Sequence, residues 1–139
     1  MSDDVLKILL GRIPKKERAK LHHFKRFRVK GQTFPAIQRH HGEMVHGMIL
    51  EEITHREKEL LDIFEEEYDC VSGVTCTVEN NNDQPNIESS ICTYVWKEKN
   101  NNELDTNKPD WNFEEFEALH KQRFLVMCKN FIVSVNQRE

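Results

Sequence analysis

The 139 residues suffice for one domain with its own hydrophobic core but not for two such domains. Charged residues make up 32% of the chain and the net charge is −4, which is typical of a soluble protein and unfavourable for phosphate binding as a main role. No apolar run is long enough to span a membrane and no signal-peptide region is present, so we expect a cytoplasmic protein.

The chain is predicted to begin with a helix over residues 3–10, in which two acidic residues precede a run of apolar side chains. Acidic side chains stabilise the positive N-terminal end of a helix dipole. Gly11 and Pro14 follow this segment and are typical of a helix end.

Three stretches after this helix have the composition of strands or turns. Residues 21–30 carry apolar side chains among basic residues and histidines, which predicts a strand, and Gly31 interrupts it. Residues 33–37 include Pro35, which lacks a backbone N–H and argues against a central, fully paired strand. In residues 43–50 both alternating faces are mostly apolar, which predicts a buried strand.

Residues 54–57, Thr-His-Arg-Glu, form a capping-box pattern that predicts the start of a second helix. Its apolar face continues to Phe64, so we expect this helix to end near Phe64 or Glu65. Alternating apolar residues then predict two further strands, over residues 70–78 and 90–96.

Polar segments rich in asparagine separate the later elements. Residues 79–89 predict a long, mobile hairpin connection, and residues 97–109 predict a second polar loop. Residues 112–115, Asn-Phe-Glu-Glu, predict the cap of a C-terminal helix that continues to Phe131. We therefore expect a single α+β domain over residues 1–139, with a curved, mixed sheet of about five strands and helices packed against it.

Histidine and cysteine are the residues that could hold a metal. The pairs His22-His23 and His40-His41 would point to opposite faces of an extended backbone. The sequence has no His-Glu-x-x-His motif and no cysteine at ligand spacing from a histidine, so we expect no metal site. We interpret His120 as a partly buried histidine with a hydrogen-bond partner. The widely spaced cysteines are expected to be reduced core or strand residues.

Basic residues are concentrated in residues 12–30, whereas residues 51–69 are strongly acidic. A nucleic-acid-binding module is one interpretation of the basic segment. The same residues also fit the outward face of an alternating strand. The net negative charge of the whole chain argues against nucleic-acid binding. We therefore expect no nucleic-acid partner and no membrane partner.

The acidic run Glu65-Glu66-Glu67 follows the apolar face of the second helix and precedes a predicted strand. Crowded carboxylates raise one another's pKa and burial raises it further, so a general acid/base could lie here. An isolated run of this kind is more often a solvated turn, and Glu66 and Glu67 keep that interpretation.

Several stretches together resemble the γ-glutamylcyclotransferase-like family, in particular its plant avirulence-induced-gene branch. They follow one another in the family's order over nearly the whole chain. The stretches are V-L-K-I-L-L-G-R-I-P from Val5, residues 21–31, T-F-P-A-I from Thr33, V-H-G-M-I-L from Val45, L-D-I-F-E from Leu61, T-Y-V-W from Thr93 and W-N-F-E-E-F from Trp111.

This resemblance implies a small, mixed, β-barrel-like sheet flanked by helices. It implies an acyltransferase-type reaction in which a γ-glutamyl group cyclises to 5-oxoproline and an amine is released. The family's catalytic carboxylate at the end of L-D-x-x-E corresponds to Glu65, which would be the general acid/base. Tyr68 resembles the tyrosine after this glutamate and would help to shape the substrate pocket, the alternative being a role in core packing. No cofactor is implied, because the nucleophile belongs to the substrate.

Three features depart from the family pattern. In the family, the backbone amides of a Y-G-S-L turn hold the γ-glutamyl group, and this turn has no counterpart here. We therefore expect an N-terminally truncated chain. The missing strand would leave a sheet edge that has to be covered or paired. The spacing from Glu65 to Tyr68 is one residue shorter than is usual in the family. Cys70 stands where the plant branch has an arginine.

We therefore expect a cytoplasmic plant γ-glutamylcyclotransferase that acts on a small γ-glutamyl substrate through Glu65. The alternative is a non-catalytic, truncated family member that binds a small molecule or a protein. The sequence indicates neither the oligomeric state nor the leaving group of the substrate.

Overall fold

The computed structural model describes residues 2–79, 87–107 and 111–138. The elements before the C-terminal helix are α1 (Asp3–Leu10), β1 (Lys15–Val29), β2 (Pro35–Glu51), α2 (His55–Phe64), β3 (Tyr68–Val78), β4 (Ile87–Trp96), a 3-10 helix (Glu98–Glu103) and β5 (Leu104–Asp105). The C-terminal helix consists of α3 (Phe113–Glu115), a π-helical turn (Phe116–His120) and α4 (Lys121–Arg138). None of the described helices combines the length and apolar character needed to cross a membrane.

The five strands form one sheet in the order β2-β1-β3-β4, with the short β5 paired to β1. The pairings among the described residues are antiparallel, and β1 pairs with β3 only from Ala19 to Leu21. A hydrogen bond of 2.6 Å from the Gln38 side-chain amide to the Trp96 carbonyl joins the two outer strands, so the sheet curls round. The predicted α+β class, with about five strands flanked by helices, is confirmed, but the described strand pairings make the sheet antiparallel rather than mixed.

β2 is an edge strand, and the prediction that residues 43–50 form a buried strand is wrong. Val45 is buried in the core, but Met44 and Met48 are 46% and 48% exposed. Alternating hydrophobicity does not reveal whether a second layer covers the outer face of a strand, and here none of the described elements buries it. Pro35 opens this edge strand, as expected for a residue that is unfavourable in a central strand.

The hairpin connection between β3 and β4 differs from the prediction. β4 begins at Ile87, so the last residues of the predicted loop 79–89 belong to a strand. They pair with the end of β3, and this cross-strand pairing is a tertiary effect that local polarity does not indicate. Residues 80–86 of the predicted loop lie outside the described residues.

The segment predicted as a second polar loop, 97–109, contains regular structure. The 3-10 helix and β5 lie in it, while its residues 108–110 are outside the described part of the chain. A hydrogen bond of 2.8 Å from the Lys30 amide to the Glu103 carbonyl holds this segment on β1. The prediction of a loop was wrong here because asparagine-rich composition does not reveal such long-range pairing.

The hydrophobic core of the described residues has three parts, one of which consists of Val29, Ala36, Trp96 and Leu104. Where α1, α2 and α4 meet, the buried residues are Val5, Leu9, Leu61 and Cys128. The interior of the curved sheet is filled by Ala19, Leu21, Phe24, Val45, Val74, Cys76 and Val95. Two of the cysteines are thus core residues, as predicted, and the other two, Cys70 and Cys92, lie exposed on strands.

A capping box starts α2, as predicted. Thr54 Oγ1 accepts a hydrogen bond from the Glu57 amide at 3.1 Å, and the Glu57 carboxylate accepts from the Thr54 amide at 2.9 Å. The same carboxylate receives two hydrogen bonds of 2.7 Å from the Arg12 guanidinium. Arg12 and Thr54 lower the pKa of the Glu57 carboxyl, which is almost completely buried, to about 2. The helix ends at Phe64, which is also as predicted.

The C-terminal helix begins with the predicted N-cap. The Asn112 side chain accepts a hydrogen bond from the Glu115 amide at 2.9 Å. The Glu115 carboxylate in turn pairs with the Arg28 guanidinium at 2.7 Å. This ion pair fixes the start of the C-terminal helix to β1.

We expect Glu57→Gln to destabilise the fold at neutral pH by about 1–2 kcal/mol, a range reduced for solvent screening because the Arg12 side chain is 44% exposed. Because the pKa of Glu57 is lower in the folded state, the ionised carboxylate stabilises the fold at pH values above 4.5, the ordinary pKa. This stabilisation is lost as pH falls toward about 2. The wild type should therefore lose more stability than the variant between these two values, as measured by urea unfolding.

Glu59→Gln is the matched control, because Glu59 is an exposed carboxylate on the same helix. Because this control keeps the Arg12–Glu57 pair, it should retain the larger loss of stability in acid that distinguishes the wild type from Glu57→Gln. Parallel pH curves for the wild type and Glu57→Gln would contradict the role assigned to the Arg12 pair.

Candidate active site

Glu65 lies where α2 ends and the chain turns into β3. Its backbone amide donates to the Leu61 carbonyl at 2.8 Å, and its carbonyl accepts from the Tyr68 amide at 2.9 Å. These two hydrogen bonds close the helix and turn the chain over a short distance. Because Leu61 is buried among the helices, the helical core sets the position of Glu65.

The Glu65 carboxyl group is half-buried and lies close to Tyr68 and Cys128, whose ionisation its charge opposes. Burial raises the pKa of this carboxyl to about 7. Among the described residues, no group donates a hydrogen bond to the carboxylate that would lower this pKa again. A carboxyl that titrates near neutral pH can accept and donate a proton, as a general acid/base must.

The two neighbouring glutamates differ from Glu65 in their exposure. Glu66 and Glu67 are exposed, which fits the interpretation of a solvated turn. Burial raises the pKa of Glu65, and the charges of Glu66 and Glu67 are not among its causes. The crowding expected from the acidic run therefore does not contribute to the raised pKa of Glu65.

Tyr68 anchors the start of β3 to the sheet. Its hydroxyl donates to the Pro35 carbonyl at 2.8 Å, and its ring packs edge-to-face on Trp96 with centroids 5.1 Å apart. Burial, and then the charges of Glu65 and Glu67, raise the pKa of this hydroxyl far above its ordinary range. The Tyr68 hydroxyl therefore remains protonated and acts as a structural donor beside Glu65.

A cluster that the sequence did not predict surrounds Asp62. The carboxylate accepts hydrogen bonds from the Lys58 ammonium and from the Tyr94 hydroxyl, the latter at 2.5 Å. Lys58 and then Tyr94 lower the pKa of the Asp62 carboxyl. The Lys58 ammonium also lies 3.4 Å from Cys70 Sγ. The i, i+4 spacing of Lys58 and Asp62 is a sequence signal for this pair, whereas Tyr94 and Cys70 join it only through the pairing of β3 with β4.

One histidine, His120, differs from its prediction. In the described part of the chain, His120 Nδ1 is buried without a hydrogen-bond partner, which contradicts the prediction of a satisfied histidine. His120 ends the π-helical turn, and such a turn changes side-chain directions in a way that regular helical spacing does not predict. No three His, Cys, Asp or Glu side chains of the described residues are grouped so that they could hold a metal ion.

Among the surface cavities lined by described residues, two are relevant here. The larger, of about 490 Å³, lies between the start of α1 and the C-terminal helix, and its lining includes Asp3, Lys16, Phe113 and Lys121. The smaller, of about 200 Å³, lies where β1 and β3 diverge. Glu65 lines neither of these two cavities.

Known proteins provide an independent comparison. The family described as Gamma-glutamyl cyclotransferase, AIG2-like, matches residues 1–113 of the chain. AIG2-like protein D of Arabidopsis thaliana is 36% identical over 137 residues, which are 98% of this chain and 86% of that relative. AIG2-like protein A of the same plant is 35% identical over 130 residues, which are 93% of this chain and 74% of that relative.

Two solved structures have a similar fold. The solution structure of At5g39720.1 from Arabidopsis thaliana has a TM-score of 0.65 and 34% sequence identity, and the match covers 96% of this chain and 85% of the other. The solution structure of At3g28950.1 has a TM-score of 0.59 at 24% identity, over 99% and 78% of the two chains, and supports the fold alone. The resemblance read from the sequence is thus confirmed, and the chain belongs to the gamma-glutamyl cyclotransferase, AIG2-like, family.

Proposed function

We propose that this protein is a γ-glutamylcyclotransferase in which Glu65 is the general acid/base. The observation that carries the proposal is the half-buried Glu65 carboxyl group, whose pKa burial raises to about 7. Membership of the family supports a cyclotransferase-like activity in general terms. The position of Glu65 at the end of L-D-x-x-E supports its individual role.

In the proposed reaction the neutral α-amino nitrogen of the substrate attacks the substrate's own γ-carbonyl carbon, and the Glu65 carboxylate takes one of the nitrogen's protons. A ring carbon–nitrogen bond forms, the bond from this carbon to the leaving nitrogen breaks, and Glu65 delivers its proton to the leaving nitrogen. The products are 5-oxoproline and the free amine. Because both reacting groups belong to one molecule, proximity lowers the barrier without a cofactor.

In the same proposal, Tyr68 helps to shape the substrate pocket beside Glu65 and takes no part in proton transfer. Its hydroxyl already donates to the Pro35 carbonyl, and its pKa lies far above the ordinary range. Asp62 is likewise unsuited to proton transfer near neutral pH, because Lys58 and Tyr94 lower the pKa of its carboxyl. Of these three side chains near the end of α2, Glu65 is therefore the candidate for proton transfer.

A non-catalytic binding module is the second candidate function. The observation in its favour is that Glu65 lines neither the 490 Å³ cavity nor the 200 Å³ cavity. In this case the raised pKa of Glu65 would only reflect its packing against the helical core. A nucleic-acid module has less support, because basic residues of the segment 12–30 are paired with carboxylates, namely Arg12, Lys15, Lys16, Lys20 and Arg28.

We expect the purified protein to release 5-oxoproline from γ-glutamyl amines or γ-glutamyl dipeptides, and Glu65→Gln to lower kcat by about 100-fold or more. Glutamine preserves the size of the side chain but cannot accept the proton. The measurement is 5-oxoproline formation, with circular dichroism to verify that the variant is folded.

Glu66→Gln is the matched control for this assay, because it removes the adjacent, exposed carboxylate. It should retain the activity of the wild type. Equal and complete inactivity of the wild type and Glu65→Gln on all γ-glutamyl substrates would remove the enzymatic proposal and favour the binding module.

The dependence of kcat/KM on pH should report the pKa of the Glu65 carboxyl group directly. The proposed base must be ionised in the free enzyme, so kcat/KM should fall as pH decreases through about 7. A profile that stays flat down to the ordinary carboxyl value of 4.5 would contradict the role of Glu65 as the base.

Glu65 should also lower the free energy of unfolding at pH values at which its carboxyl group is ionised. Because the pKa of Glu65 is higher in the folded state, protonation of Glu65 adds to the free energy of unfolding. This contribution is complete below pH 4.5 and is lost as pH rises through about 7. Above pH 7, Glu65→Gln should therefore be more stable than the wild type by about 1–3 kcal/mol, and this gain should vanish in acid. Urea unfolding at both pH values measures the difference, and a gain that is independent of pH would contradict the assigned desolvation.

A further inference from the structure

The 200 Å³ cavity lies where two irregular strands face each other, away from Glu65. In β3, residues 72 and 73 lie between the pairs Val71–Thr93 and Val74–Ile91, so two residues there oppose one residue of β4. In β1, His23 lies opposite four residues of β2, residues 40–43. Such bulges turn backbone groups and side chains out of the regular sheet and are frequent at binding sites.

His23 is held in a conformation that most residues avoid. Its φ is 64°, in the left-handed region, although it is not a glycine. Its imidazole stacks on His41 with ring centroids 5.0 Å apart, and its Nδ1 accepts a hydrogen bond from the Gly42 amide at 3.2 Å. Because Nδ1 is an acceptor, the neutral ring carries its proton on Nε2, which leaves an N–H donor for another partner.

Arg39 provides a positive charge at the same cavity. Its guanidinium lies over the buried Phe24 ring, 5.2 Å from the ring centroid, and both residues line the cavity. Within the described ranges, no carboxylate forms an ion pair with Arg39. Stacking on an aromatic ring orients the planar guanidinium and leaves its edge N–H groups available for a ligand.

We propose that this cavity binds a small oxyanion, a carboxylate or a phosphate, with Arg39 as the main ligand and His23 as a second donor. Arginine and a neutral imidazole N–H both suit such a ligand, because each can donate hydrogen bonds to an oxyanion. At about 200 Å³ the cavity is smaller than pockets for drug-sized ligands, which begin near 300 Å³, and a small ion or terminal acid group fits it. The proposal does not depend on the activity proposed for Glu65.

The test is a titration of the isotopically labelled wild type, followed by the backbone amide signals in NMR. Sodium phosphate and sodium acetate are added in separate arms, and sodium chloride at equal ionic strength corrects for screening. We expect saturable shifts confined to residues around His23, Arg39 and Gly73. The oxyanion that gives the tighter binding identifies the chemistry of the natural ligand.

Two variants distinguish a defined site from general attraction to a basic surface. Arg39→Gln should weaken binding about tenfold or more, whereas Arg18→Gln, which removes an exposed arginine of β1, should leave it unchanged. His23→Gly keeps the left-handed backbone without strain, so it should fold normally and still bind more weakly. The absence of saturable shifts with either oxyanion, or equal binding by Arg39→Gln and Arg18→Gln, would overturn the proposal.

Discussion

The packing of α2 against α1 and α4 is the constraint on which the rest of this structure depends. Leu61 and Cys128 are buried between these helices, and the ion pair of Arg12 with Glu57 holds the start of α2. With both ends of α2 fixed, the residue after its last turn, Glu65, cannot move freely into solvent. The free energy of apolar packing therefore offsets the loss of hydration at this carboxyl group.

Two carboxylates three residues apart illustrate how strongly this packing controls chemistry. The pKa of Asp62 is lowered because Lys58 and Tyr94 donate hydrogen bonds to it, whereas burial alone raises that of Glu65. Two carboxyl groups whose environments move their pKa values apart are the usual arrangement by which proteins separate a permanently charged group from one that exchanges protons. Here the carboxyl group with the raised pKa, Glu65, is the one without a hydrogen-bond donor among the described residues.

Local patterns predicted those parts of the fold in which short-range interactions dominate. The capping box at Thr54 and the termination of α1 at Gly11, which has a φ of 77°, depend on atoms within one turn of helix. The exposed outer face of β2 and the strand pairing inside the predicted loop 97–109 depend on residues distant in the chain. Composition and periodicity carry no information on which strand lies at an edge or which loop reaches another strand.

The sequence by itself determined the family and the α+β class, and it predicted an acid/base in the acidic run 65–67. It did so because hydrophobic periodicity, helix capping and ordered motifs are local properties of the chain. Only the tertiary structure decided that Glu65 is half-buried while Glu66 and Glu67 are exposed. It also decided that His23 and Arg39 line one cavity. Burial and electrostatic environment depend on contacts between distant elements, and those contacts exist only after the helices and the curved sheet have packed together.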